Sequence, residues 1–183
     1  MPFEQGLQEV EKAYEKITEA NKMMIDAMSA FLFTWKWWLG ICILVIPWVL
    51  WFMFRKKESS DRLLYAGFVV IIISTISDLI GVSMGLWTYP IKIIPSIVVF
   101  IPFVFSLIPV TIMFLLQIKP NFNPFIKAIL FSGVGAYIGL PSLVPIDFYK
   151  PIHWRYTYSF FIFILLYLIA YWFSKRSKFE KVY

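Results

Sequence analysis

Residues 74–95 read STISDLIGVSMGLWTYPIKIIP and place one acidic side chain, Asp78, in a long apolar run. A charged group at the centre of a bilayer costs about 2.5 to 3.5 kcal/mol on insertion scales. We therefore expect Asp78 to be protonated, paired or directed into a wet cavity. Apolar runs of this length are typical of membrane-spanning helices, so this stretch decides the class of fold.

The composition of the whole chain indicates an integral membrane protein. Of its 183 residues, 60% are hydrophobic and 20% are aromatic, whereas soluble domains contain about 45 to 50% apolar residues. The net charge of +6 comes from Lys and Arg residues between the apolar runs, which is typical of cytoplasmic loops and argues against nucleic-acid binding. The single cysteine, Cys42, excludes an internal disulfide and a multi-cysteine metal site.

Hydropathy predicts an all-α, polytopic membrane protein with a five-helix transmembrane bundle over residues 35–175. The predicted spans cover about residues 37–54, 63–85, 93–116, 125–143 and 156–173. An N-terminal amphipathic helix, residues 1–34, precedes the bundle, and a basic cytoplasmic tail, residues 176–183, follows it. The acidic N-terminus is unlike a cleavable signal peptide, so we expect the first span to direct membrane insertion.

The N-terminal segment carries a heptad repeat over residues 3–33. Its seam consists of Leu7, Val10, Tyr14, Ile17, Asn21, Met24, Met28 and Phe31. Small residues beside the seam permit close approach of a second helix, and Asn21 is typical of residues that fix register and oligomer state. The repeat predicts a homo-oligomer or a membrane-protein partner. The alternative is an amphipathic helix lying on the bilayer or on its own bundle.

Two pairs of glycines mark predicted packing surfaces between helices. Gly81 and Gly85 lie four residues apart near the end of the second span, and Gly135 and Gly139 do so in the fourth. Pairs of small residues at this spacing favour close helix packing in membranes. We therefore predict that another helix packs against each pair.

The third predicted span contains prolines at intervals of seven, Pro95, Pro102 and Pro109. Pro109 leaves the carbonyl oxygen of Phe105 without its helical donor, and in a bilayer such a carbonyl needs another partner. One interpretation is a helix that bends around the bundle. The alternative is that the freed carbonyls line a substrate or ion path, as in transporters with broken helices.

The distribution of basic residues predicts the orientation. Ten of them fall on one side: Arg55, Lys56, Lys57, Arg62, Lys119, Lys127, Lys175, Arg176, Lys178 and Lys181. Five fall close to spans on the other side: Lys22, Lys36, Lys92, Lys150 and Arg155. Because Lys and Arg favour the cytoplasmic side, we expect a cytoplasmic C-terminus and, with five spans, an N-terminus outside the cell.

With that topology, a candidate polar pocket gathers towards the outer half of the bundle. Its residues are Asp78, Trp87, Tyr89, Lys92, Asp147, His153, Trp154 and Arg155. Ser74 or Thr75 is positioned to bond the Asp78 carboxyl, and Arg155 or Lys92 to act as its counter-ion. This cluster indicates either a polar pocket that opens to the outer face for a ligand, or a buried Asp78 that links two helices. No catalytic triad, P-loop or dinucleotide fingerprint is present, and we expect no cofactor and no metal.

Several runs resemble a family of small five-span membrane proteins from spore-forming Firmicutes, of the Bacillus and Clostridium type. They are WKWWLGICILVIPWVLWFMFRKKESSDRLLYAGFVV at 35–70, SDLIGVSMGLWTYP at 77–90, LLQIKPNFNPFIKA at 115–128, HWRYTYSF at 153–160 and SKRSKFE at 174–180. The matching motif residues are Asp78, Trp87, Tyr89, Pro109, His153 and Trp154. The resemblance implies a bacterial source and a topology rather than a mechanism. Many relatives carry acidic residues where this chain has Phe105 and Leu140, so it implies an incomplete chain of intramembrane acids.

Three functions are consistent with the sequence. The N-terminal heptad and the small-residue faces favour an interaction or scaffold subunit of a plasma-membrane complex. Asp78 and the prolines of the third span favour a small transporter or channel. The outer polar pocket among aromatic spans favours an enzyme or binder for a lipid head group at the outer face. We expect the first of these functions.

Overall fold

The described part of the chain, residues 2–176 of the computed structural model, is helical except for one two-stranded sheet. Seven α-helices follow one another: α1 (Phe3–Ser29), α2 (Trp35–Phe54), α3 (Ser60–Ser83), α4 (Ile108–Gln117), α5 (Pro124–Val134), α6 (Leu140–Leu143) and α7 (Tyr156–Ser174). A 3₁₀ turn (Lys57–Ser59) leads into α3, and π-helical turns (Phe103–Leu107 and Gly135–Gly139) lead into α4 and α6. The strands are β1 (Trp87–Thr88) and β2 (Lys150–Pro151).

Within residues 2–176, four helical stretches are long and apolar enough to cross a membrane: Trp35–Phe54, Lys57–Ser83, Pro124–Leu143 and Tyr156–Ser174. They lie where the first, second, fourth and fifth spans are predicted. Each has a high mean hydropathy, and side chains that face outwards from the bundle remain apolar. The predicted basic tail lies outside the described residues apart from Arg176.

The third predicted span, residues 93–116, differs from the structure. Residues 91–100 are irregular, and the apolar helix that follows covers Phe103–Gln117. Its 15 residues rise only about 22 Å, less than the hydrocarbon thickness of about 30 Å. Pro95 and Pro102 have no N–H to donate, which disfavours a continuous helix through this region. Hydropathy alone did not reveal this break because the irregular segment is also apolar.

Pro109 sits in the first turn of α4, where a proline is well tolerated. It supplies no N–H to the carbonyls one turn earlier, and two side chains bond those carbonyls instead. Trp48 Nε1 donates to the Phe105 carbonyl oxygen at 2.9 Å, and Ser74 Oγ donates to the Val104 carbonyl oxygen at 3.3 Å. α2 and α3 therefore hold the π-helical turn between them.

The core has two parts, one at each end of the bundle. The first lies between α2, α3, α4 and α7 and includes Trp51, Val70, Met113 and Tyr167. The second lies under the sheet, and its main aromatic members are Tyr89, Phe100, Phe103, Phe148 and Tyr149. Burial of these rings joins the irregular segment 91–100 to the loop before α7.

The sheet ties the connection after α3 to the connection before α7. Trp87 pairs with Pro151 and Thr88 with Lys150 in antiparallel register. The carbonyl oxygen of Leu86 also accepts bonds from the backbone N–H groups of residues 152 and 153, each at 3.0 Å. This ribbon covers the end of α3 that carries Asp78.

α1 extends for 27 residues, and most of its seam faces outwards. Leu7, Val10, Tyr14 and Ile17 are each about half exposed or more. Only near its C-terminal end does the helix meet the bundle, where Met28 is buried. The seam is therefore unpartnered along most of its length within the described chain.

Candidate functional site

Asp78 is buried in α3, with 6% of its surface exposed, and three donors surround its carboxyl group. Trp87 Nε1 and Tyr89 Oη both donate to Oδ1, at 2.9 and 2.5 Å. The backbone N–H of Phe100 donates to Oδ2 at 3.0 Å. The carboxyl group thus links the loop after α3 to the irregular segment before α4.

The local sequence explains how Trp87 returns to Asp78. α3 ends at Ser83, and Gly85 has φ +68°, a conformation that favours glycine and reverses the chain. A Cβ on Gly81 would lie 2.0 Å from Cη2 of Trp87. The group that packs against Gly81 is therefore the indole ring and not another helix, which corrects the prediction for Gly81 and Gly85.

Gly135 and Gly139 lie in the second π-helical turn. A Cβ on Gly135 would approach the Phe163 ring of α7 to 3.1 Å, so this glycine does meet a helix. A Cβ on Gly139 would meet only the backbone oxygen of Val134, at 3.6 Å. Close packing is thus limited to the first glycine of this pair.

Aromatic rings surround the carboxyl group on two sides. Tyr89 stacks on Phe100 at 5.1 Å between ring centroids, and Trp87 meets Trp154 edge to face at 4.8 Å. Trp154 Nε1 in turn donates to Ser159 Oγ of α7 at 2.8 Å. The Asp78 side chain is therefore connected to α7 through the two indole rings.

Lys92 is one of the two predicted counter-ions of Asp78, but the two side chains form no ion pair in the described part of the chain. It is 6% exposed, and its Nζ donates to the carbonyl oxygen of Ile97 at 3.1 Å. Met24 Sδ of α1 lies 3.9 Å from the same nitrogen. Burial lowers the pKa of Lys92, and the charge of Asp78 partly opposes that shift.

The remaining predicted pocket residues lie apart from the carboxyl group. Asp147 pairs with Lys36 of α2 at 2.6 Å, while His153 and Arg155 are exposed. Within residues 2–176, Arg155 forms no ion pair, so it is not the counter-ion of Asp78.

The hydroxyl groups near Asp78 on α3 also differ from the prediction. Ser74 Oγ donates to backbone carbonyl oxygens, the closest being that of Val70 at 2.7 Å. Thr75 Oγ1 has no partner among residues 2–176. Neither hydroxyl bonds the carboxyl group, whose three donors come from segments outside α3.

A cavity of about 230 Å³ opens beside Asp78 between α3 and α7. Its polar groups come from Ser74, Ser77, Asp78, Trp87, Tyr89, Tyr149, Trp154 and Ser159, and the rest of its wall is apolar. Ile162 and Leu165 of α7 line it and are exposed on the outside of the bundle, at 39% and 60%. The cavity therefore reaches the lateral surface of the helices.

Tyr149 and Ser159 are site residues that sequence reasoning missed. Tyr149 is 3% exposed and lines the cavity although it belongs to a proline-rich loop. Burial raises the pKa of Tyr149 and also that of Tyr89, whose pKa the charge of Asp78 raises further. Both phenols therefore remain protonated donors at neutral pH. The aromatic run around residue 149 was the available signal.

No family model, curated protein or solved structure matches this chain. The resemblance to the Firmicutes family therefore stays a prediction, and function must be argued from the site.

Proposed function

We propose that this chain is a multi-pass membrane protein that binds an amphiphile, a lipid or isoprenoid, in the cavity beside Asp78. The supporting observation is an apolar cavity with a carboxyl group at one end and exposed aliphatic side chains at its lateral rim. Such an arrangement suits a molecule with one polar end and an apolar chain. The proposal develops the third function that the sequence left open.

The chemistry of the polar end defines the head group. A carboxylate has about four acceptor positions, and three protein donors leave one available on Asp78. The hydroxyl groups of Ser77 and Tyr149 also line the cavity, and within residues 2–176 neither has a hydrogen-bond partner. A small head that donates a hydrogen bond, such as a hydroxyl group or an amine, fits these groups. A phosphate would meet the carboxylate and be repelled.

The geometry gives less support to the transporter hypothesis. The Phe105 carbonyl oxygen freed by Pro109 is occupied by Trp48 and is not free to bind a passing ion. The carboxyl group of Asp78 lies beneath the sheet and the irregular segment, and donors from both regions hold it. These contacts are typical of a fixed anchor for a pocket wall.

The proposed topology keeps five crossings of a plasma membrane. The helix Phe103–Gln117 and the irregular residues 93–100 together make the third crossing, a broken helix that packs against α2 and α3, and irregular backbone is tolerated in membranes where it packs against protein. The N-terminus is then outside and the Asp78 cavity opens in the outer half. Lys36 and Lys150 lie at that end, and Lys56 and Lys175 at the other.

Photocrosslinking from the bilayer tests the binding proposal. The full-length protein is placed in phosphatidylcholine vesicles that contain a long-chain alcohol with a diazirine near its hydroxyl group. We expect crosslinks on α3 and α7 residues that line the cavity. Ile162→Trp fills the rim without touching the Asp78 hydrogen bonds, and it should reduce those crosslinks several-fold.

Phe161→Trp is the matched control, because Phe161 is 61% exposed and does not line the cavity. It should leave the crosslinks unchanged. Labelling that spreads evenly over all lipid-facing helices, with no effect of Ile162→Trp, would contradict the proposal.

A second candidate function, an interaction subunit, is supported by the exposed seam of α1. Over four heptads the seam is apolar with one polar residue, Asn21, and Ile17 at its centre is 54% exposed. Pairing of two such helices in parallel would bury the seam, as in a coiled coil. The proposed partner is a second copy of this chain.

Native mass measurement in mild detergent tests this second candidate. Val10→Glu combined with Ile17→Glu places two charges in the seam and should convert a dimer to a monomer. Gln5→Glu combined with Gln8→Glu adds the same charge outside the seam and should leave the dimer intact. A monomeric wild type would remove the self-association proposal.

A further inference from the structure

A second cavity, of about 170 Å³, lies at the other end of the bundle from Asp78. It is formed where α3 and α5 begin and where α4 and α7 end, and it is lined by Arg62, Pro124, Gln117 and Lys175 among others. The start of α3 at Ser60 is eighteen residues before Asp78, or about 27 Å along the helix. The cavity is therefore separate from the proposed amphiphile site.

Four basic side chains line this basic-end cavity: Lys56, Arg62, Lys127 and Lys175. Lys127 is already engaged, because its Nζ donates to the carbonyl oxygens of Leu115, Ile118 and Lys119. The other three form no ion pair with an acidic residue in the described part of the chain. Lys175 only lies over the Tyr171 ring, at 5.5 Å.

Glu58 and Asp61 are the nearest acidic residues in sequence, and both are exposed. Neither of them lines the cavity. Three cations therefore surround a concave surface without a matching anion from residues 2–176.

The hydroxyl group of Tyr167 provides an independent indication of a ligand. Tyr167 lines the cavity and is 0% exposed, and its Oη has no hydrogen-bond partner among residues 2–176. Buried hydroxyl groups are bonded in the large majority of cases, because leaving one unbonded is costly. A phenol that needs an acceptor beside three unpaired cations indicates an anionic ligand.

The helix ends add to the same preference. α3 and α5 direct their N-terminal ends towards the cavity, and such ends favour anions. The C-terminal ends of α4 and α7 have the opposite sign, but each has a lysine beside it: Lys127 bonds carbonyl oxygens at the end of α4, and Lys175 directly follows α7.

We propose that the basic-end cavity binds a phosphate group, using Lys56, Arg62 and Lys175 as cations and the Tyr167 hydroxyl as a donor. Guanidinium and ammonium groups are the usual partners of phosphate in proteins. The phosphate belongs either to the head group of an anionic phospholipid or to a free phosphate ion. The cavity lies where the apolar spans end, which is the depth of phospholipid head groups.

Native mass spectrometry of the full-length protein in detergent tests the proposal with three probes. They are a short-chain phosphatidylglycerol, a phosphatidylcholine of the same chain length, and inorganic phosphate. We expect phosphatidylglycerol to bind at least about tenfold more tightly than phosphatidylcholine, because only the former keeps a net negative charge. Displacement of phosphatidylglycerol by millimolar inorganic phosphate would identify the free ion as a ligand of the same site, which also supports the proposal.

Two variants show whether binding occurs in this cavity. Lys56→Gln, Arg62→Gln and Lys175→Gln combined should weaken phosphatidylglycerol binding by about tenfold or more, and Tyr167→Phe alone by about tenfold, since each removes hydrogen bonds to a charged group. Lys22→Gln, Lys150→Gln and Arg155→Gln combined remove the same charge elsewhere and should leave binding unchanged. Tyr158→Phe removes a phenol hydroxyl group outside this cavity and is the matched control for Tyr167→Phe.

The Tyr167→Phe variant removes one oxygen atom from a packed ring, so it reports on the site even where the triple variant does not fold. Equal affinity for the two lipids, together with no binding of inorganic phosphate, would overturn the proposal. So would phosphatidylglycerol binding that neither Tyr167→Phe nor the triple variant weakens. Neither result depends on whether the Asp78 cavity binds an amphiphile.

Discussion

The indole N–H of Trp48 donates to the carbonyl oxygen of Phe105 at 2.9 Å, and so α2 bonds a carbonyl that Pro109 leaves without its helical donor. A side chain of α2 thus supplies a hydrogen bond that the backbone around Pro109 lacks. In a membrane this hydrogen bond matters, because the bilayer core contains no water that could donate to the carbonyl oxygen instead.

We expect Trp48→Phe to lower the free energy of unfolding by about 1 to 3 kcal/mol, the cost of a carbonyl left without a donor in an apolar surrounding. The measurement is the unfolding transition in detergent. In a Pro109→Ala background, residue 109 regains an N–H and the same substitution should cost less. Trp38→Phe removes an indole that is 52% exposed and should have little effect. An equal loss of unfolding free energy in both backgrounds would argue that the Trp48 bond does not compensate for Pro109.

The three bonds to Asp78 make this residue a structural anchor as well as a cavity wall. Asp78→Ala leaves Trp87 Nε1, Tyr89 Oη and the Phe100 N–H without their acceptor, and we expect a loss of about 3 kcal/mol or more. Asp78→Asn keeps one oxygen for Trp87 and Tyr89 but turns an NH₂ group towards the Phe100 N–H, so its loss should be smaller. The unfolding transition measured for both variants checks this order. An Asp78→Ala protein as stable as wild type would show that the three hydrogen bonds to Asp78 contribute no stability.

The pKa shifts at the Asp78 end predict how stability depends on pH. Burial lowers the pKa of Lys92 below its ordinary 10.5, so the unfolded chain binds more protons than the folded chain between the lowered value and 10.5. Stability should therefore rise with pH through that interval. Lys92→Met should make the rise shallower, and Lys150→Met, which changes an exposed lysine, should leave it unchanged.

Above pH 10 the tyrosines reverse this trend. Burial raises the pKa of Tyr89 and Tyr149 above their ordinary 10.0, so the folded chain keeps protons that the unfolded chain loses, and stability falls as pH increases. Tyr149→Phe should make the fall shallower. Unfolding midpoints measured from pH 7 to 11 for wild type and these variants separate the two effects. A flat profile for the wild type would contradict both.

The sequence predicted the long apolar helices well because hydropathy over some twenty residues is a strong signal. The helix expected at about 156–173, for example, is observed at Tyr156–Ser174. It did not predict the irregular residues 91–100, which are as apolar as a helix would be. The same limit explains the missed site residues. Phe100 contributes a backbone N–H that carries no sequence signal, and Tyr149 reaches the cavity from a loop far along the chain.

The approach of Trp87 to Asp78 depends on the absence of a side chain at Gly81. A Cβ there would lie 2.0 Å from Cη2 of Trp87, so Gly81→Ala must displace the indole ring. Displacement breaks the bond from Nε1 to Oδ1 and the edge-to-face contact with Trp154. We expect a loss of about 2 to 4 kcal/mol from the lost bond and the overpacking together.

Gly133→Ala is the matched control for Gly81→Ala, because a Cβ at Gly133 meets nothing within 4 Å. Gly133 lies within α5, where alanine is favoured over glycine by up to about 1 kcal/mol, so this variant should be neutral or more stable. Unfolding in detergent measures both, and tryptophan fluorescence reports the displaced ring. A Gly81→Ala protein with wild-type stability and emission would mean that Trp87 does not depend on the space beside Gly81. In that case the indole could not be the group that fixes one wall of the cavity.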